Sequence, residues 1–219
     1  ELLHEAVREG ARGILVFPAD GEAYNEELLR LSLARYPVVV IDRYLRGVDT
    51  NCVCSDHAGG AHDAVARLID MGHEHIAYVS FYRRPTTSLD DRRAGYERAL
   101  ANRRLPPGDS LIRFDDDSGD DFHFEKAVAA AQRFLADHPH VTAVFGATSF
   151  SGLAVIEAAR RMGIGVPERL SVVFFDDIEH ADLHRVPPSC VVQRQRELGR
   201  EAAKLLISVI EIGRASCRE

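Results

Sequence analysis

The chain has 219 residues, 46% of them hydrophobic and 28% charged, a mixture that suits one large globular domain or two small ones. Its 27 basic and 34 acidic residues leave a net charge of −7, which makes it a poor nucleic-acid surface by itself. No apolar run approaches the length of a membrane span, so no membrane contact is expected.

Residues 1–12 read as the end of a helix, with Leu2, Leu3, Ala6 and Val7 on one side. Gly13 to Phe17 is expected as a buried strand closed by Pro18, and Glu26 to Ala34 as an amphipathic helix with Leu28, Leu29, Leu31 and Leu33. Val38 to Ile41 is a strand ending on Asp42-Arg43, and Thr50 to Ser55 a shorter one. Cys52 and Cys54 alternate within it, none of the four cysteines forms C-x-x-C, and a reduced packing role is expected for them.

A helix over Gly59 to Met71 follows, ended by Gly72, then a strand from Ile76 to Ser80 and a helix from Asp90 to Asn102 that carries Arg92. Leu111 to Phe114 reads as a strand, Asp115 to Asp121 as an acidic loop, and Phe124 to Leu135 as a helix. Val141 to Asp177 is the organising stretch: an apolar strand, small and hydroxyl residues at Gly146 to Ser151, a helix with Leu153, Ile156, Ala159 and Met162 at spacings of three, then a strand from Leu170 ending on Asp176-Asp177. Gly163, Gly165 and Pro167 stop that helix. Val191 to Gln193 is a short strand, and Glu197 to Ile210 a helix whose pattern breaks at Glu211. Alternation of strand and helix predicts parallel, doubly wound sheets, and polar groups collect just past the strands' carboxyl ends, where such sheets bind ligands.

Catalytic and metal motifs fail on spacing. Counted from Asp115, the acidic loop places Gly119 at position five of a calcium loop instead of six, with no Glu at twelve. His73-Glu74-His75 lacks the i, i+4 histidine pair of a zinc helix, and no phosphate loop or G-x-G-x-x-G follows a strand. The carboxylates Asp176 and Asp177 have no nucleophile or metal set beside them in sequence. No cofactor, no metal and no enzymatic activity are expected.

Four segments in order carry a resemblance. They are Pro37-Val38-Val39-Val40-Ile41-Asp42-Arg43, Gly72-His73-Glu74-His75-Ile76-Ala77, Arg92-Arg93-Ala94-Gly95-Tyr96, and Gly163 through Asp177 with its Val166-Pro167 and Phe175-Asp176-Asp177. Together they resemble the LacI/GalR family of bacterial transcription regulators, whose sugar-sensing core is related to periplasmic binding proteins. The resemblance implies an α/β fold of two Rossmann-like lobes with parallel sheets, of the type I periplasmic-binding-protein kind, truncated at both ends. It divides the chain into an incomplete N-terminal lobe (1–55 with 189–212) and a C-terminal lobe (56–188). Residues 213–219 read as a non-native tail.

The implied function is the ligand-sensing core of a cytoplasmic, dimeric DNA-binding repressor, with lobes that close on a small effector, a carbohydrate in class. Operator DNA would be held through a segment absent from this chain, of helix-turn-helix or GntR-type winged-helix form. The alternative is a periplasmic sugar-binding protein of a transport system. The effector-binding residues implied are Arg92, Asp176, Asp42, Arg43, Ser149 and Phe122.

Each has a plainer reading. Arg92 suits a solvated surface beside Asp90 and Asp91, Asp42 and Arg43 a local ion pair, and Phe122 a core position. Ser149 stands where the family commonly has Asp, and Phe174 where it commonly has Gly. Asp56 is expected to cap the following helix. Arg92→Ala is expected to abolish effector binding and leave the fold intact.

Overall fold

The computed structural model describes residues 2–18, 26–82, 86–114, 124–179, 181 and 187–216. Phe122, the acidic loop and Cys217 lie outside the described residues. The chain divides into two compact units, one of residues 1–55, 84–88 and 194–219, the other of 56–83 and 89–193.

The first unit holds α1 (Leu2–Arg8), β1 (Ile14–Val16), α2 (Glu26–Leu33), β2 (Val38–Ile41), β3 (Asn51–Val53) and the helix Gln195–Ser216. Its three strands are parallel in the order β1-β2-β3. The central β2 is a run of β-branched residues because both of its faces are covered. Leu28, Leu31, Val38, Val40 and Leu45 form a core on one face, and Gln195–Ser216 packs across all three strands.

The two outer strands of this sheet depart from expectation. Leu15 and Phe17 are 39% and 53% exposed, so β1 is not a buried strand. Cys52, on the other edge strand, is exposed and does not fill a packing role. The final helix continues past Glu211 to Ser216.

The second unit holds α3 (His57–Asp70), β4 (Ile76–Tyr82), α4 (Thr87–Asn102, from Leu89 onward), β5 (Ser110–Phe114), α5 (Phe124–Asp137), β6 (Ala143–Gly146), α6 (Ser149–Arg161), β7 (Ser171–Phe175) and β8 (Ser189–Val191). All five strands are parallel, in the order β5-β4-β6-β7-β8. The chain leaves β4 through α4 to β5 on one side, then crosses back through α5 to β6 on the other. The crevice between β4 and β6 is therefore the point where the winding reverses, and ligands bind outside the carboxyl ends there.

Both sheet faces are dry. Ala77, Val79, Phe134, Val144, Val155 and Phe174 pack on the α5 and α6 side. Val65, Tyr78, Tyr96, Phe145 and Phe175 pack on the α3 and α4 side. As expected, Asp56 caps α3, accepting from the Gly59 amide at 2.8 Å. Gly72 and Gly163 end α3 and α6 with φ of +95° and +69°, which a side chain would oppose.

The buried face of α6 agrees with the predicted spacing at Ala159 and departs from it at Met162. Ser151, Gly152, Ala154, Val155, Ala158 and Ala159 are buried, whereas Met162 is 36% exposed. Small residues let this helix lie close to the sheet, and the reason is Phe174. Its ring is fully buried against Gly152, where an added Cβ would stand 2.1 Å from Phe174 Cδ1. The large ring at 174 is accommodated by a glycine on the facing helix.

At the amino ends of the strands, His73 ties three elements together. Nδ1 lies 2.9 Å from Thr142 Oγ1, just before β6, and Nε2 lies 3.0 Å from Ser171 Oγ, at the start of β7. Burial pushes the imidazole below its ordinary value. The unfolded chain then binds a proton that the folded chain does not, so this contribution is complete above about pH 6.5 and is lost as pH falls from there through the folded value. Denaturation curves between pH 7.5 and 5 should show a shallower loss of stability in His73→Gln than in the parent, and parallel slopes would refute the linkage.

Candidate functional site

The strand ends of the second unit converge on one buried cation. Arg92, on the second turn of α4, is 3% exposed. Its Nη1 donates to the Ala147 carbonyl at 2.8 Å and to Asp176 Oδ2 at 3.2 Å. Its Nε donates to His57 Nδ1 at 3.3 Å, which assigns the proton of a neutral His57 to Nε2. The guanidinium carbon lies 3.9 Å from the centre of the Phe175 ring, and the His57 ring packs on the same phenyl with centroids 5.5 Å apart.

Asp176 follows the last residue of β7 with φ of +70°, a left-handed turn that Asp tolerates better than most residues. Its amide donates to Val191 O at 3.0 Å, so the turn is pinned to β8. Its Oδ1 accepts from Gln193 Nε2 at 2.6 Å while Oδ2 takes Arg92. The carboxylate side chain stays 27% exposed while the arginine is closed in. The arrangement is a neutral, hydrogen-bonding platform at the switch point, one guanidinium against one carboxylate.

The structure thus brings Arg92 and Asp176 together and rejects the solvated-surface reading of Arg92. The guanidinium is a packed, bonded part of the unit, so Arg92→Ala is expected to lower stability as well as binding. Ser149 opens α6 immediately after its cap, Thr148, whose Oγ1 accepts from the Ser151 amide at 3.2 Å, and it remains partly exposed. His57 and Gln193 were not found by the sequence reading. The position of His57, one residue past the α3 cap at Asp56, is the signal that was available.

Asp42 and Arg43 belong to the first unit. Asp42 repeats the geometry of Asp176: it follows β2, has φ of +67°, and its amide donates to the neighbouring strand at Val53 O, 2.9 Å away. It is 8% exposed. Arg43 reaches back to β1's end, where its Nη1 donates to the Pro18 carbonyl and its guanidinium carbon lies 4.7 Å from the Phe17 ring centre. In the same unit, Thr86 Oγ1 lies 3.0 Å from Ser88 Oγ, and the Tyr44 amide donates to Thr87 Oγ1 at 3.2 Å. These three hydroxyls are buried, and the sequence reading missed them.

A cavity of about 1080 Å³ lies elsewhere in the second unit, beside β8, lined by Leu68, Met71, Ile164, Val166, Pro167 and Cys190 among others. It contains none of the polar platform residues, so this hollow and the polar site are different places. Among the described residues, no group of three His, Cys, Asp or Glu could hold a metal ion.

Residues 65–218, more than half of the chain, match the family described as Periplasmic binding protein-like domain. The chain belongs to that family. Within it the relatives are LacI-type regulators, as the four sequence segments suggested. Catabolite control protein A of Priestia megaterium is 29% identical over 205 residues, covering 94% of this chain and 60% of that protein. The transcriptional regulator CelR of Thermobifida fusca is 35% identical over 156 residues, covering 71% of this chain and 44% of that protein. A solved complex of the regulator CelR with cellobiose superposes with a TM-score of 0.81 at 30% identity, covering 96% of this chain and 62% of that one.

The chain therefore spans about half the length of these curated relatives. The relatives are transcription regulators and not enzymes. Among the described residues no helix is long and apolar enough to cross a membrane.

Proposed function

We propose that this chain is the ligand-sensing core of a bacterial transcription regulator, a repressor that responds to a small carbohydrate. The observation that carries the reading is Arg92, fixed at the carboxyl ends of β4, β6 and β7 by Asp176, Ala147 O and Phe175. A guanidinium already neutralised by a carboxylate offers oriented donors and acceptors without net charge. That suits the hydroxyls of an uncharged sugar better than a strongly anionic ligand. Names among the relatives point the same way, with CelR solved in complex with cellobiose and a ribose operon repressor of Haemophilus influenzae.

In this reading Arg92 and Asp176 contact the effector. Ser149, Asp42 and Arg43 supply further contacts, and Phe122 offers an aromatic face. Operator DNA is bound by a segment outside this chain, the protein works in the cytoplasm as a homodimer, and the sugar acts by its differential affinity for two conformations. The names of the relatives, all of transcription regulators, favour this reading over an exported transport protein.

Calorimetric titration of the purified chain with pentoses, hexoses and disaccharides, cellobiose and D-ribose among them, tests the proposal. Saturable binding of at least one sugar, recovered chemically unchanged, is the expected result. A chain inert to the whole panel, or one that converts the sugar, would refute it.

A further inference from the structure

Ser80 is the third residue from the end of β4, a strand that borders the switch point. It is 1% exposed, and among the described residues its Oγ has no hydrogen-bond partner. A buried hydroxyl left in this state costs stability, and Ala or Val at this position would avoid the cost.

Its direction follows from the strand. Ser80 stands in register with Ile112 of β5, which packs on the α3 and α4 side, and it alternates with Tyr78, which lies in the same core. That is the side from which Arg92 enters. Its height follows from the sheet. The last β4–β6 pair is Val79 with Gly146, so beside Ser80 the neighbouring strand has given way to the Ala147–Thr148 turn. The Ala147 amide donates to Val79 O at 2.8 Å, and its carbonyl takes Arg92 Nη1 at 2.8 Å. Ser80 and Arg92 thus flank one residue, Ala147, at one end and on one face of the sheet.

We infer that the Ser80 hydroxyl is a ligand-contacting, specificity-determining group, held unpaired so that a hydroxyl of the bound molecule completes its hydrogen bond. The inference rests on the carbohydrate-sensing reading above and adds to it a neutral contact next to the charged one. A serine hydroxyl both donates and accepts, so it discriminates a sugar hydroxyl from a methyl or a hydrogen at the same place.

Ser80→Ala in the full chain tests this with two readouts. Without sugar, removing an unpaired buried hydroxyl should raise the thermal midpoint by about 2 °C. With the sugar that the parent protein binds best in the panel above, affinity should fall about tenfold. A midpoint that drops or stays constant means the hydroxyl is already satisfied inside the protein, and overturns the assignment. Unchanged affinity overturns it too, while sugar binding by the parent leaves the carbohydrate reading standing. A parent protein that binds no sugar in the panel removes both.

Discussion

Gly152→Ala should destabilise the protein by about 3 kcal/mol, a large effect for the addition of one methyl group. In a helix interior, Gly to Ala ordinarily stabilises by about 1 kcal/mol, so the sign itself is diagnostic. The new Cβ would stand 2.1 Å from Phe174 Cδ1 and 2.7 Å from Phe174 Cβ, and the ring is fully buried with no free direction in which to turn. Either α6 lifts from the sheet or the ring leaves its rotamer, and both forfeit packing with Val144 and Val155, which share that core.

Phe174→Ala should cost about 4 kcal/mol through a cavity. The double variant should cost distinctly less than the sum of the two, because the alanine methyl group enters the space the ring vacates. Urea denaturation of the four proteins gives the cycle, and simple additivity would mean that the two side chains do not compete for one space.

Arg92→Ala should weaken carbohydrate binding by more than a hundredfold, the loss of about 3 kcal/mol expected when two charge-assisted hydrogen bonds disappear. It should also lower stability by about 2 kcal/mol, since it strands Asp176 and uncovers the face of Phe175. The carboxylate keeps Gln193 and some solvent, so the penalty falls short of that for a fully buried pair. Arg92→Met separates the two effects: it restores much of the packing over Phe175 and none of the hydrogen bonding. Calorimetry on both variants, with denaturation alongside, reads each effect by itself. Parent-like affinity in Arg92→Met would remove Arg92 from the binding site.

The sequence was legible wherever a single element carries its own signal. The apolar run from Leu170 to Phe175 and the helix glycines at Gly72 and Gly163 mark their elements without reference to anything else. Arg92 and Asp176 were found through the family segments that contain them. What stayed hidden depends on pairs of elements. Spacing of three picked out Leu153, Ile156, Ala159 and Met162 on α6; Ala159 is buried and Ile156 packs against the same core, whereas Met162 is exposed. Here the core face is marked by smallness, and only Phe174 on β7 explains why. His57 and Gln193 meet Arg92 and Asp176 across 35 and 17 residues of chain respectively, a distance over which no local pattern extends.

The fit between Phe174 and Gly152 also constrains the order in which the two residues can have been acquired. With a side chain at 152, a phenyl introduced first at 174 has nowhere to go. Losing the side chain at 152 first leaves only a small void and a slightly weaker helix, and the ring then fills the gap. Gly152 is in this sense the permissive step and Phe174 the dependent one. Once both are present a side chain can return at 152 only after the residue at 174 has shrunk, so in a mutational scan the size limit at 152 should relax in a background with a small residue at 174.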